Sequence, residues 1–269
     1  MQRVLITGAA GNIGGVLRAG LSGVYPALRL SDIEPLGAVR EGEELVQADL
    51  RDLAQVEAIM DGVDAVVHLG GVPMEDDWAP IHEVNIIGCY HVFEAARRRG
   101  VKRVVFASSN HVIGYHRRSE RIDDTAMFRP DSRYGLSKLF GEGLGRLYAD
   151  KHGIACVCLR IGSFQVKPKD VRMLSTWISH RDMVHLVRRA LEAEDVHFEI
   201  VYGVSANDRN WWDNPGGQRI GYAPQDNAED HAAEVLSRMA PEDEPEIERA
   251  FHGGPFCALE FSGDPSKVA

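Results

Sequence analysis

The stretch LITGAAGNIGG, residues 5–15, constrains this chain more than any other. An apolar run, RVLIT, meets three glycines, Gly8, Gly11 and Gly14, and an amphipathic segment follows. Glycine reaches positive φ without steric cost and lets other backbone come close, so a strand can turn there directly into a helix. Such a unit returns to a parallel neighbour by a crossover, so the sequence behind it has to supply alternating strands and helices.

It does. ALRLSD reads as a second strand and ELVQAD as a third, with helices from about Asn12 to Leu21 and around Leu53–Met60. VDAVVHLG is a fourth strand, KRVVFAS a fifth and IACVCLRIG a sixth, separated by long helices near residues 78–99 and 133–151. These strands are continuously apolar rather than alternating, as expected when helices cover both faces of a sheet. The expected class is α/β, a Rossmann-like doubly wound parallel sheet.

After Gly162 the pattern changes. A Lys-, Pro- and Arg-bearing loop leads to a helix opened by Ser179 and Asp182 in a capping-box pattern, then to a strand in HFEIVYGVS. RNWWDNPGGQRIGYAP reads as loop and DNAEDHAAEVLSRM as a short helix. Residues 1–162 are therefore expected to form a nucleotide-binding core and 163–269 a small C-terminal substrate cap, with 180–204 returning to the core. There is no internal repeat or low-complexity segment.

With 269 residues and 44% hydrophobic content the chain can bury a sizeable core. A formal net charge of −10 argues against a nucleic-acid partner, which calls for a basic face. No apolar run is long enough to span a bilayer, and MQRVLITGAAG runs straight into a strand, so neither membrane nor export signal is expected. Cys89, Cys156, Cys158 and Cys257 lack zinc-type spacing and read as reduced thiols of a cytoplasmic protein.

The glycine loop also suits a pyrophosphate held on a helix N-terminus, which points to a dinucleotide. Its G-x-x-G-x-x-G spacing departs from the general G-x-G-x-x-G pattern, and a glycine loop alone also marks a tight turn. Asp32 ends the second strand, where a carboxylate accepts from ribose hydroxyls and repels a 2′-phosphate. NAD is favoured over NADP, although Asp32 also fits a turn or cap. Asp49, in the ADL run that ends at Leu50, is a candidate adenine contact, and HLGG brings a second close-approach pair, Gly70 and Gly71.

Tyr134 and Lys138, in YGLSK, share one helix face. A tyrosine is a poor base at its usual pKa of about 10. A neighbouring ammonium and a positive nicotinamide ring both favour the phenolate, so Tyr134 can take a hydroxyl proton while hydride leaves the same carbon. By itself the pair also fits an exposed surface. Ser109, at the end of the fifth strand, adds a hydroxyl beside it.

Glycine loop, acidic strand end, VNIIG around Asn85, Ser109 and Y-x-x-x-K together resemble the extended short-chain dehydrogenase/reductase family. The resemblance covers most of the chain. It implies that Tyr134 is the base, Lys138 holds ribose hydroxyls and tunes the tyrosine, Ser109 bonds the reacting oxygen, and Asn85 steadies the helix and proton path. It also implies that Asn12, Ile13, Leu50 and Leu69 join the cofactor-binding set. No metal is needed for this hydride chemistry.

That family holds epimerases, dehydratases and simple dehydrogenases. The small cap suits a small substrate. SSNHVIGYH, NIIG, RIGS, RMLSTWISH and SANDRNWWDN resemble the uronate dehydrogenases within the family. The resemblance implies NAD-dependent oxidation of cyclic glucuronate or galacturonate at C1 to an aldarolactone, with Ser109, Asn110, His111 and Ser163 on the sugar. Arg172 is implied to anchor the carboxylate, although an arginine there also fits a surface ion pair. Pro73 stands where that pattern has a serine. A nucleotide-sugar epimerase or dehydratase, and a non-catalytic dinucleotide sensor, are the other readings. A homo-oligomer through the two long helices is also implied.

Overall fold

The computed structural model describes residues 1–240 and 244–268. Its centre is a seven-stranded, wholly parallel sheet of β1 (Arg3–Thr7), β2 (Ala27–Asp32), β3 (Glu43–Gln47), β4 (Ala65–His68), β5 (Arg103–Ser109), β6 (Ala155–Ile161) and a final strand, Phe198–Gly203. A two-stranded sheet of β7 (Ser163–Phe164) and β8 (Trp177–Ile178) stands apart, so the final strand is β9. The large sheet runs β3-β2-β1-β4-β5-β6-β9. Strand order reverses between β1 and β4, and the crevice at the carboxyl ends of those two strands is where such sheets bind ligands.

Continuous apolarity has its expected cause. Along β1, Val4 and Ile6 pack into one core and Leu5 into the other. The first core also takes Leu17 of α1 (Asn12–Gly20) and Met183, Leu186 and Val187 of a helix at His180–Glu192. The second takes Val56 and Ile59 of α2 (Leu53–Ile59), Val92 and Phe93 of α3 (Cys89–Arg99), and Leu144 and Tyr148 of α4 (Arg133–His152). His180–Glu192 is thus α5. Fully burying one such side chain contributes about 1.5–3 kcal/mol, and Phe93→Ala is expected to cost about 3–5 kcal/mol.

Helix α4 carries the Tyr–Lys motif and is pinned at both ends. Ser132 caps it by accepting from Gly135 N at 2.9 Å, and Gly153 ends it in the left-handed region at φ 67°. It lies hard on the sheet because Gly141 has no side chain. A Cβ there would sit 2.2 Å from the Phe106 ring.

The structure departs from the sequence expectation in several places, including the Ser163–Phe164 and Trp177–Ile178 strands and the Met173–Thr176 helix within the expected loop after Gly162. The helix expected over 78–99 is not uniform: Ile81–Gly88 winds as a π-helix before α3 begins. The loop expected in RNWWDNPGGQRIGYAP contains a short helix, Pro215–Arg219, capped by Asn214, whose Oδ1 accepts from Gly217 N at 3.2 Å. The capping role of Ser179 is as expected, its Oγ accepting from Asp182 N at 3.0 Å. Asp182 does not return the bond; its carboxylate accepts from Ser205 Oγ, Gln225 N and Asp226 N instead.

Candidate active site

The carboxyl ends of β1, β2, β4 and β5 gather the expected residues at the strand-order reversal. Gly8 has φ +69°, and a Cβ on it would lie 2.6 Å from Gly70 N. Gly14 is equally tight, with a Cβ meeting Gly8 O at 2.5 Å. Gly11 precedes α1, Asn12 is exposed at the start of the helix, and Ile13 packs against the first core. Asp32 ties the loop to β2, its Oδ2 accepting from Ala10 N at 2.8 Å and its Oδ1 from Glu34 N at 3.1 Å. Leu69 N bonds Thr7 O, and Leu50 packs so closely that a Cβ on Gly70 would meet its Cδ1 at 2.7 Å. The glycine cradle, the acidic β2 end and the half-buried Leu50 fit a dinucleotide.

Asp49 sits in the same region but is engaged. Its carboxylate takes Arg51 Nη2 at 2.7 Å and Nε at 3.0 Å, and this pairing holds it below the usual aspartate range. Asp49, Arg51, Asp52, Gln55, Glu83 and Ile87 line an open groove there. An adenine contact by Asp49 therefore competes with Arg51. Arg29 is also committed, to Glu44 and to the carbonyls of Ile59 and Asp61.

Lys138 is buried, with 6% exposure, which separates it from an ordinary surface Tyr–Lys pair. Burial lowers its pKa to about 8. Among the described residues its Nζ has no hydrogen-bond partner; it lies 5.3 Å from the Phe106 ring centre and 5.5 Å from that of Tyr134. Burial pushes the Tyr134 phenol up to about 12, and a hydrogen bond with Ser109 pulls the other way. The lowering expected from Lys138 does not offset burial within the protein alone.

Asn85 bonds the Val72 backbone and the Ser137 hydroxyl rather than the phenol. Its Oδ1 accepts from Val72 N at 2.7 Å, and its Nδ2 donates to Val72 O and Ser137 Oγ, each at 3.1 Å. It clamps the segment after Gly70 and Gly71 onto α4. Gly71 lies against it, since a Cβ there would be 2.8 Å from Asn85 Oδ1 and 3.8 Å from Lys138 Nζ.

Ser109, Asn110 and His111 follow one another out of β5 into a turn of 3-10 helix. Arg172 reaches this triplet from the far side. Its Nε donates to His252 O at 2.8 Å and its Nη1 to Ser163 Oγ at 3.3 Å. Asn110, with its amide turned to satisfy both neighbours, donates to Ile161 O at 3.0 Å and accepts from Arg172 Nη2 at 2.6 Å. Arg172 is 8% exposed and forms no carboxylate ion pair among the described residues, so it is not a surface salt bridge. Burial first, and Arg118 second, lower its pKa. Three of its five N–H donors are used, leaving one on each Nη.

The sequence reading missed what surrounds the triplet. Asp131 holds His111, Oδ2 to Nδ1 at 2.7 Å, and Phe256 stacks on the His111 ring with centres 3.8 Å apart. The C-terminal segment carrying Phe256 runs along the loop after the triplet: His252 N donates to His116 O and Gly253 N to Gly114 O, both at 2.9 Å. Glu75 accepts from Tyr134 N at 2.8 Å. Other groups nearby make structural contacts: Ser108 donates to Glu142 at 2.7 Å, His116 bonds Met127 O, and Trp212 stacks on Tyr202.

Comparison with known proteins follows the same lines. Residues 4–181 match the model of the NAD dependent epimerase/dehydratase family. The chain is 48% identical to a uronate dehydrogenase of Pseudomonas putida, over 95% of this chain and 96% of that one. It superposes with a TM-score of 0.92 on the Agrobacterium tumefaciens uronate dehydrogenase, solved as a tyrosine-to-alanine mutant complexed with NAD, at 44% identity over 96% and 97% of the two chains. A glucuronic acid dehydrogenase structure from Chromohalobacter salexigens gives the same TM-score at 43% identity, covering 99% of each.

Proposed function

The chain belongs to the NAD dependent epimerase/dehydratase family, and from that membership we propose that it oxidises the cyclic form of a hexuronic acid, glucuronate or galacturonate, at C1 to an aldarolactone. The cofactor of this reading is NAD, supported by the NAD complex of the Agrobacterium relative and by Asp32 at the β2 end. The observation that carries the substrate is Arg172: a buried guanidinium without a carboxylate partner among the described residues, bonded to Asn110 beside Ser109. Its two remaining N–H donors, one on each Nη, match the two oxygens of a carboxylate.

Each residue then has a task. Gly8, Gly11 and Gly14 receive the pyrophosphate, Asp32 the adenosine ribose, and Lys138 Nζ the nicotinamide ribose hydroxyls. When bound, oxidised nicotinamide supplies the hydride acceptor and a positive charge beside Tyr134. Tyr134 takes the proton of the C1 hydroxyl as the C1–H pair departs as hydride and the C1–O bond becomes a carbonyl. Ser109, whose side chain favours the ionised phenol, donates to the reacting oxygen. Asn110 and His111 hold the sugar, with Ser163 beside the carboxylate end.

Purified protein is expected to reduce NAD with glucuronate or galacturonate and not with glucose. Failure to form NADH with either uronate from neutral to alkaline pH overturns the reading. Turnover of a UDP-sugar without net NADH would support the epimerase or dehydratase alternative. The same reading includes a homo-oligomer, supported by exposed Trp78 and Tyr90 on one long helical segment and by Leu136, Phe140 and Leu147 on α4. Light scattering on the eluted protein tests it.

A further inference from the structure

We propose that Asp131 is a positioning residue for this reaction: it fixes the tautomer and angle of His111 so that Nε2 accepts a hydrogen bond from a hydroxyl of the cyclic sugar. The inference rests on the uronate reading and deepens it.

The geometry is specific. A carboxylate only accepts, so the His111 nitrogen 2.7 Å from Asp131 Oδ2 carries the hydrogen, and that nitrogen is Nδ1. In the neutral ring Nε2 is then bare, and among the described residues it has no partner. The ring cannot turn away. Phe256 stacks on one face, and Tyr134 meets it edge-on with centres 5.9 Å apart.

Asp131 is itself built in. Its side chain has 0% exposure. Its Oδ1 accepts from Ser132 Oγ at 2.7 Å, and Ser132 is the cap of the helix that carries Tyr134 and Lys138. Backbone is cleared for the carboxylate on two sides: a Cβ on either Gly114 or Gly253 would fall 1.9 Å from Oδ2. One carboxylate thus joins the sugar-facing histidine to the first turn of the catalytic helix. A bare acceptor is what a sugar hydroxyl, always able to donate, can use.

The test reads the tautomer and the kinetics separately. Nitrogen-15 shifts of His111, taken without substrate at the assay pH, are expected to show hydrogen on Nδ1 and none on Nε2. Asp131→Asn can donate to Nδ1 instead and is expected to move the hydrogen to Nε2. The variant is expected to raise KM for the uronate about tenfold, with little change in NAD affinity. In a His111→Ala background the same substitution is expected to leave KM unchanged, because an asparagine oxygen can still accept from Ser132 and Asp131 reaches the sugar through the ring. An Nε2-bound hydrogen in the wild type overturns the proposal, whether or not the variant folds. So does a KM effect that persists without His111, or an unchanged KM in Asp131→Asn. Lack of uronate oxidation by the wild type counts instead against the proposed activity, and the tautomer still decides the Asp131–His111 pairing.

Discussion

Arg172 Nη2 lies 2.6 Å from the amide oxygen of Asn110, so the buried guanidinium and the polar triplet at the end of β5 form one unit. Asn110 thus links the buried guanidinium to the segment that follows Ser109.

Arg172→Ala is expected to raise KM for a uronate about 10- to 100-fold, the scale of one lost charged hydrogen-bonding group. The preference for glucuronate over glucose should vanish with it. Steady-state kinetics on both sugars measure this, and a retained preference would place the carboxylate elsewhere.

Lys138→Met is expected to abolish turnover yet stabilise the cofactor-free protein near neutral pH. The fall of the Lys138 pKa from 10.5 to about 8 corresponds to about 3 kcal/mol against the folded state while the ammonium is charged. Between those values the unfolded chain binds more protons, so the wild type gains stability as pH rises and the gap to the variant closes. Denaturant titrations at neutral pH and above pH 10 check both the sign and the window.

Tyr134→Phe is expected to lower kcat about 100- to 10,000-fold and leave NAD affinity near the wild type. Burial raises the phenol pKa to about 12 in the protein alone, so wild-type kcat/KM should climb with pH through the neutral range. Paired pH profiles show whether the slope disappears with the hydroxyl.

Gly8→Ala is expected to destabilise the fold by about 2 kcal/mol or more and to weaken NAD binding. It forces a side chain to φ +69° and drives its Cβ to 2.6 Å from Gly70 N. Denaturation and titration calorimetry test the two effects separately.

The core was legible because it follows local rules. Strands buried on both faces advertise themselves as unbroken apolar runs, and Tyr134 and Lys138 share a helix face by their spacing. The π-helical turns at Ile81–Gly88 carry no such mark. The helix at Pro215–Arg219 did: an Asn followed by Pro is a helix start. Asp131 lies three residues before Tyr134 and looks like capping sequence; only the fold brings it to His111. Phe256 comes from the far end of the chain, and no local pattern predicts its ring stack.

Ser108 gives the site a further property. Its hydroxyl is anchored to Glu142, which pairs with Arg160 deep between α4 and β6. Asn110, two residues on, is held instead by Arg172 and Ile161. The strand end therefore rests on two footings, one through Ser108 and Glu142 and one through Asn110 and Arg172. On the proposed reading, substitutions that retune the accepted sugar are expected to act through Asn110 and its partners rather than through Ser108.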